Sequence, residues 1–292
     1  MKFTYYPGCS SHATSRAYDE STHAVAKVLG LEFEELDDWN CCGATAYMSS
    51  NEILSFCLSA RNLALAKKAG QPVCTSCSSC YLNMMKTNKY LHTFPDLKKK
   101  VNEALAEADL SYEGDVSLKH ILDVIVSDVG LDNVKALVKK PMSGLRVAPY
   151  YGCQIVRPMT FESDPEMPRS LEKLMETIGA EPTPFPIKTW CCGGSLMLTQ
   201  EAVALRLCRN LLLCVQEEKA DCIAVTCPLC QINLEAYQPR INRAYGTKFN
   251  IPVLYFTQIL GLALGIPEKD LGMKRMIVPW RERIESTAEV QQ

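Results

Sequence analysis

The sequence predicts an α/β protein made of two pseudo-symmetric repeat domains, each a small parallel sheet flanked by helices with cysteines at the strand ends. Three observations lead there. Short apolar strands alternate with longer amphipathic segments, which is the pattern of parallel α/β layers. A set of cysteine motifs occurs twice in the same order: Tyr6-Pro7-Gly8-Cys9 returns as Tyr150-Tyr151-Gly152-Cys153, and Asn40-Cys41-Cys42-Gly43 as Trp190-Cys191-Cys192-Gly193. The third motif, Cys77-Ser-Ser-Cys80 or Cys227-Pro-Leu-Cys230, follows the glycine of each Cys-Cys-Gly after 33 residues in both halves. Such a fixed period marks an internal repeat.

Lys2 to Tyr6 and Leu145 to Tyr151 read as the strands that lead into the first cysteine of each copy. A helix is predicted from Arg16 to Leu29, and another from Asn51 to Ala69 with Ile53, Leu54, Leu58 and Leu65 as its buried face. Its counterpart runs from Gln200 to Glu218, with Arg61-Asn62-Leu63 answered by Arg209-Asn210-Leu211. Asp221 to Thr226 reads as a buried strand delivering Cys227 to a helix whose first turn takes Pro228. Ile121-Leu122 is matched to Ile259-Leu260, within the apolar stretch 251–267, which reads as a buried helix. The polar Lys139-Lys140-Pro141-Met142-Ser143-Gly144 places the boundary between domains 1–142 and 143–292.

Composition narrows the function. With 47% apolar residues in 292, the chain fills a real core, which excludes a disordered tail. Lys and Arg number 31 against 33 Asp and Glu, so the basic footprint of a nucleic-acid binder is missing. The amino terminus has neither a basic leader nor a cleavable apolar run, and Thr257, Gln258 and Gly261 interrupt the longest apolar stretch, so a cytoplasmic chain without a membrane span is expected. Fifteen cysteines in a reducing compartment point to metal binding or thiol chemistry.

Each half offers five thiols from Gly-Cys, Cys-Cys-Gly and Cys-x-x-Cys. Structural zinc takes four ligands, and adjacent cysteines diverge unless both reach atoms of a larger body, so an iron–sulfur cluster suits the set better than one ion. The glycine after each pair lets the backbone come close to that cluster. Cys57, Cys74, Cys208, Cys214 and Cys222 have no cysteine opposite them in the other half and read as buried small hydrophobes. Cys74-x-x-Cys77-x-x-Cys80 imitates the start of a ferredoxin run, but Met84 stands where the fourth cysteine belongs.

The doubled pattern Cys, Cys-Cys-Gly, Cys-x-x-Cys resembles the catalytic B subunit of heterodisulfide reductase and its bacterial relatives, over essentially the whole chain. That resemblance implies two noncubane [4Fe-4S] clusters facing each other across a substrate disulfide. It carries the ligands over as Cys9, Cys41, Cys42, Cys77 and Cys80 for one, and Cys153, Cys191, Cys192, Cys227 and Cys230 for the other. It further implies disulfide reduction in successive one-electron steps, a ferredoxin-like C subunit with cubane [4Fe-4S] clusters as partner, and a flavoprotein A subunit supplying electrons through the complex. In keeping with this, the sequence has no dinucleotide fingerprint and no complete cubane motif of its own. His12 is the candidate proton donor, and Gln154 and Arg157 the candidate substrate contacts. Gln154 and Gly43 replace the histidine and proline of the methanogen pattern, which leaves the coenzyme M–coenzyme B heterodisulfide and another disulfide both open. The same module occurs in iron–sulfur subunits of glycolate and lactate oxidation systems, so an electron relay is the alternative, and a structural zinc module the other.

Overall fold

The structure is a computed structural model that describes residues 1–44 and 46–280. The first half runs β1 (Lys2–Tyr6), α1 (Arg16–Val28), β2 (Glu32–Glu35), α2 (Ala46–Ser50), α3 (Glu52–Ala69), β3 (Val73–Thr75), α4 (Ser78–Thr93), α5 (Pro95–Ala106) and β4 (Leu118–His120). It closes with α6 (Ile121–Asp123), a π-helical stretch (Val124–Gly130) and α7 (Leu131–Leu137). The second half has β5 (Arg146–Tyr150), α8 (Ser170–Thr177), β6 (Glu181–Pro182), α9 (Leu196–Thr199), α10 (Glu201–Glu217), β7 (Cys222–Val225), α11 (Pro228–Glu235), α12 (Gln238–Tyr245), β8 (Val253–Tyr255) and α13 (Phe256–Ala263). Two short 3₁₀ turns, Glu268–Leu271 and Met273–Arg275, follow.

Both sheets are parallel, with the same order: β2-β1-β3-β4 and β6-β5-β7-β8. From the central strand β1 the chain goes first to one side and then to the other, so β1 and β3 flank a switch point whose carboxyl ends open a crevice. Cys9 follows β1 and Cys77 follows β3; Cys153 and Cys227 stand likewise behind β5 and β7. Topology thus puts the first and third motifs of each half side by side.

The hydrophobic core does not divide as the sheets do. Phe3, Ala17, Tyr18, Val25, Ile121 and Val124 of the first half belong to one continuous core with the second half, while Tyr6, Phe56, Leu63, Tyr81 and Met84 form a smaller core of their own. The halves meet through equivalent helix pairs: α1 packs on α13, and α6 and α7 pack on α8. Between the sheets, the backbone N–H groups of Lys139 and Lys140 both donate to the Ala263 carbonyl at 2.9 Å.

Several local expectations are corrected. The 251–267 stretch starts as a strand, β8, before turning into α13, because three β-favouring residues complete the sheet beside β7. With β4 and β8 aligned through their registers on β3 and β7, His120 matches Tyr255, so Val124-Ile125 and not Ile121-Leu122 answers Ile259-Leu260. On α3, Ile53 and Leu54 are 46% and 38% exposed, whereas Ser55, Ser59 and Asn62 are buried. The apolar periodicity misleads there because the buried face of α3 mixes Phe56, Ala60 and Leu63 with Ser55, Ser59 and Asn62, whose hydrogen bonds hold the Cys-Cys loop.

Candidate metal centre

Gly8, at φ 77°, turns the chain out of β1 so that Cys9 faces the crevice; a Cβ on Gly8 would lie 3.1 Å from Cys80 Sγ. Gly152, at φ 67°, stands in the same relation to Cys230, again at 3.1 Å. Cys77 and Cys227 precede the first turns of α4 and α11; the neighbouring Cys230 holds the Cys227 thiol well below its usual range, while Cys227 pushes Cys77 well above it. Pro228 occupies the first helical position as expected. In the first half Cys9 and Cys41 Sγ lie 3.7 Å apart, Cys42 and Cys80 Sγ 3.4 Å apart, and Cys77 touches Cys80. In the second, Cys192 and Cys230 Sγ are 3.4 Å apart, Cys153 touches Cys191, and Cys227 touches Cys230. The structure therefore brings together both sets of five thiols, and the sets adjoin where Ser78 Oγ donates to the Thr226 carbonyl at 2.9 Å and Ser79 Oγ lies 3.8 Å from Cys227 Sγ.

The two Cys-Cys loops are held alike. Tyr6 and Tyr150 hydroxyls donate to the carbonyls of Asn40 and Trp190, at 2.8 and 2.7 Å. Asn83 and Asn233 donate to the carbonyls of Cys42 and Cys192 from the second turn after each Cys-x-x-Cys. Ser59 donates to the Cys42 carbonyl at 2.8 Å, and the Cys208 thiol to the Cys192 carbonyl at 3.1 Å. These bonds pair Ser59 with Cys208, so the Arg61-Asn62-Leu63 match is one residue out of register. Buried Asn62 bonds Asn40 while Asn210 lies partly exposed. Gly43 and Gly193 adopt left-handed φ, and a Cβ there would lie 3.2 Å from Ser55 Cα and 2.8 Å from Ala204 Cβ. The glycine thus lets the loop approach a helix.

Electrostatics follows from crowding. Contact with Cys41 pushes Cys42 up to about 12, and contact with Cys153 brings Cys191 down to about 6, where the Gly193 N–H also donates to it at 3.3 Å. A small cavity of about 40 Å³ is lined by all five second-half cysteines, together with Tyr151, Gln154 and Leu229. Among the described residues, no three His, Cys, Asp or Glu side chains are arranged to hold a single metal ion. Five thiols around a cavity suit a multi-atom group bonded at several points, whereas a lone ion fills its own ligand shell.

A groove of about 510 Å³ runs between the halves, lined by Met48, Ser79, Leu82, Lys86, Gln154 and Cys191 among others. Gln154 lines both groove and cavity, and Ser79 donates to its side-chain oxygen while lying 3.8 Å from Cys227 Sγ. Sequence reasoning singled out Gln154 but missed Ser79. His12 stacks on Trp39 at 5.7 Å and lies 3.6 Å from Glu35, 58% exposed. Arg157 is paired with Glu166 at 2.7 Å. Of the other cysteines, Cys74, Cys208 and Cys222 are buried, but Cys57 and Cys214 are partly exposed, contrary to expectation, because each sits at the edge of its helix's inward face. Cys74 belongs to the core shared with the second half, while Cys77 and Cys80 belong to the smaller one; burial and Asp123 hold its thiol protonated.

A family model described as "Cysteine-rich domain", CCG, matches residues 3–85 and 147–235. The chain belongs to this family. In it, the duplicated CCG domain places the protein with the B subunit of heterodisulfide reductase. The CCG protein is 34% identical to the 8-methylmenaquinol:fumarate reductase membrane anchor subunit of Wolinella succinogenes, over 95% of this chain and 97% of that one. It is 33% identical to a heterodisulfide reductase B-subunit-like protein of Archaeoglobus profundus, over 94% of both chains. It is 28% identical to the B subunit of the ferredoxin/F420H2-dependent CoB-CoM heterodisulfide reductase of Methanosarcina acetivorans, over 94% of this chain and 93% of that one. A Helicobacter pylori hypothetical protein of known structure shares the fold with a TM-score of 0.75 at 20% identity, over 94% of this chain and 52% of that chain. Among the described residues, no helix is long and apolar enough to cross a membrane.

Proposed function

We propose that this CCG protein is the catalytic iron–sulfur subunit of a heterodisulfide reductase-type complex in the cytoplasm. One noncubane [4Fe-4S] cluster is held by Cys9, Cys41, Cys42, Cys77 and Cys80 and a second by Cys153, Cys191, Cys192, Cys227 and Cys230. The observation that carries the reading is the seam between the two five-thiol sets, where Ser78 donates to the Thr226 carbonyl at 2.9 Å and Ser79 Oγ lies 3.8 Å from Cys227 Sγ, beside a groove lined from both halves. Bound by these two cysteine sets, such clusters would supply electrons singly, and two of them would match the two electrons that a disulfide needs. In net terms, a disulfide takes two electrons and two protons, its S–S bond breaks, and two thiols leave. Within the groove, Gln154 and Ser79 orient the polar end of the substrate, and Met48 and Leu82 exclude water. His12 and Arg157 stay candidates for proton transfer and for an anionic substrate group. Electrons come from a C subunit with cubane clusters, fed by a flavoprotein A subunit.

A second reading has the likeness to the Wolinella succinogenes subunit behind it: an electron relay serving a flavoprotein partner. Iron and sulfide analysis with EPR comes first, and two zinc ions without visible absorption would leave only a structural module. The reduced complex is then mixed with a disulfide. Reoxidation with a changed EPR signal supports the reductase, whereas inertness toward disulfides alongside reoxidation by fumarate through the flavoprotein supports the relay.

A further inference from the structure

Lys188 and Glu172 form, among the described residues, the one ion pair with both side chains buried, at 7% and 8% exposure, and disulfide chemistry makes no use of it. Two buried charges persist only when their remaining hydrogen-bonding capacity is met. Here it is met. Lys188 Nζ donates to Glu172 Oε1 and, at 2.6 Å, to the Pro168 carbonyl. The Tyr151 hydroxyl donates to Glu172 Oε2 and accepts the Leu171 N–H at 2.6 Å. The Lys188 carbonyl accepts the N–H groups of Tyr151 and Gly152 at 3.1 and 3.0 Å. One residue beyond Gly152 is Cys153, and three beyond Lys188 is Cys191. The network therefore joins the loop carrying Cys153, the turn carrying the Cys191-Cys192 pair, and the start of α8.

The first half is built otherwise. Pro7 stands where Tyr151 does, and Asp38 where Lys188 does. Asp38 pairs with Arg61 at the surface, the two being 72% and 28% exposed. Exposed pairs constrain little, and the buried Ser59 and Asn62 bonds hold the Cys41-Cys42 loop to α3 without joining it to the Cys9 loop.

We propose that Tyr151, Glu172 and Lys188 are a positioning triad that locks the second thiol set and makes the two metal sites unequal, the second holding its group more firmly than the first. The inference rests on the iron–sulfur reading of the ten cysteines. Outer partners of metal ligands typically change retention by about 10- to 100-fold.

The test follows iron release from the loaded protein to bathophenanthroline disulfonate, together with redox titration by EPR. Two release phases of equal amplitude are expected. The Tyr151→Phe variant, and a Lys188→Met/Glu172→Leu double variant that removes both charges together, quicken the slow phase by about 10-fold or more. They also shift the midpoint potential of one cluster while the fast phase and the other potential stay put. A single phase in the wild type, or both phases moving together in a folded variant, overturns the proposal. On the metal-free chain, alkylation by iodoacetamide read by mass spectrometry should rise at Cys153 and Cys191 in both variants and stay constant at Cys9 and Cys41. That arm decides the triad even if the protein binds no iron, in which case the functional reading fails by itself; unchanged labelling at Cys153 and Cys191 overturns the triad.

Discussion

Tyr6 and Tyr150 perform one task in two places: each hydroxyl donates to the carbonyl just ahead of a Cys-Cys pair, at 2.8 Å to Asn40 and 2.7 Å to Trp190. The surroundings differ. Asn62 also donates to the Asn40 carbonyl, at 2.8 Å. Tyr6→Phe therefore leaves that acceptor satisfied and costs about 1 kcal/mol or less, while Tyr150→Phe strands the Trp190 carbonyl and costs about 1–3 kcal/mol. Urea unfolding of the two variants checks the order.

Gly193 and Gly144 both have left-handed φ, +90° and +80°, but only Gly193 is crowded, its Cβ position lying 2.8 Å from Ala204 Cβ. Gly144→Ala should cost about 1–2 kcal/mol from backbone strain alone. Gly193→Ala adds a clash of about 1–3 kcal/mol. Equal midpoints in denaturant would remove the steric argument.

Cys208 gives a hydrogen bond that Ser59 gives in the other half. Cys208→Ser is expected to change stability by less than about 1 kcal/mol and to leave iron content unchanged. Cys74→Ser puts a hydroxyl among apolar side chains, costs about 1–3 kcal/mol, and also leaves iron unchanged. Cys42→Ser or Cys192→Ser should lower the iron content of one site. Colorimetric iron assay on folded protein distinguishes these cases.

His120 is buried between the halves; its Nε2 donates to the Ser76 carbonyl at 2.9 Å and its Nδ1 accepts the Leu122 N–H at 3.2 Å. Burial lowers its pKa from the usual 6.5 to about 4. The folded protein thus keeps the ring neutral while the unfolded chain takes up a proton. Its contribution is fully present above about pH 6.5 and is lost as the pH falls toward about 4, amounting to about 3 kcal/mol. In His120→Gln, the drop in unfolding free energy between about pH 7 and pH 4.5 should shrink by about 2–3 kcal/mol. An unchanged drop would contradict the assignment.

The strands ahead of Cys9 and Cys153, the long helices α3 and α10, and both five-cysteine sets were legible because strand alternation, glycine at a left-handed turn and cysteine spacing are local signals. Asn83 and Asn233 were within reach too, since Cys-x-x-Cys-x-x-Asn occurs in both halves. The inward face of α3 was not. Ser55, Ser59 and Asn62 are buried for the hydrogen bonds they make to a loop remote in sequence, and hydropathy reads polar residues as exposed.

By itself the sequence determined that the protein is a doubled parallel α/β chain with ten cysteines in two matching sets, since period, order and residue type are properties of the chain. Only the tertiary structure decided that α1 packs on α13 across one core, that Ser79 of the first half reaches Cys227 of the second, and that a buried ion pair lies behind the loops of Cys153 and Cys191. The reason is physical: which faces of two folded halves are apolar enough to pack on each other depends on side chains that come together only after each half has formed.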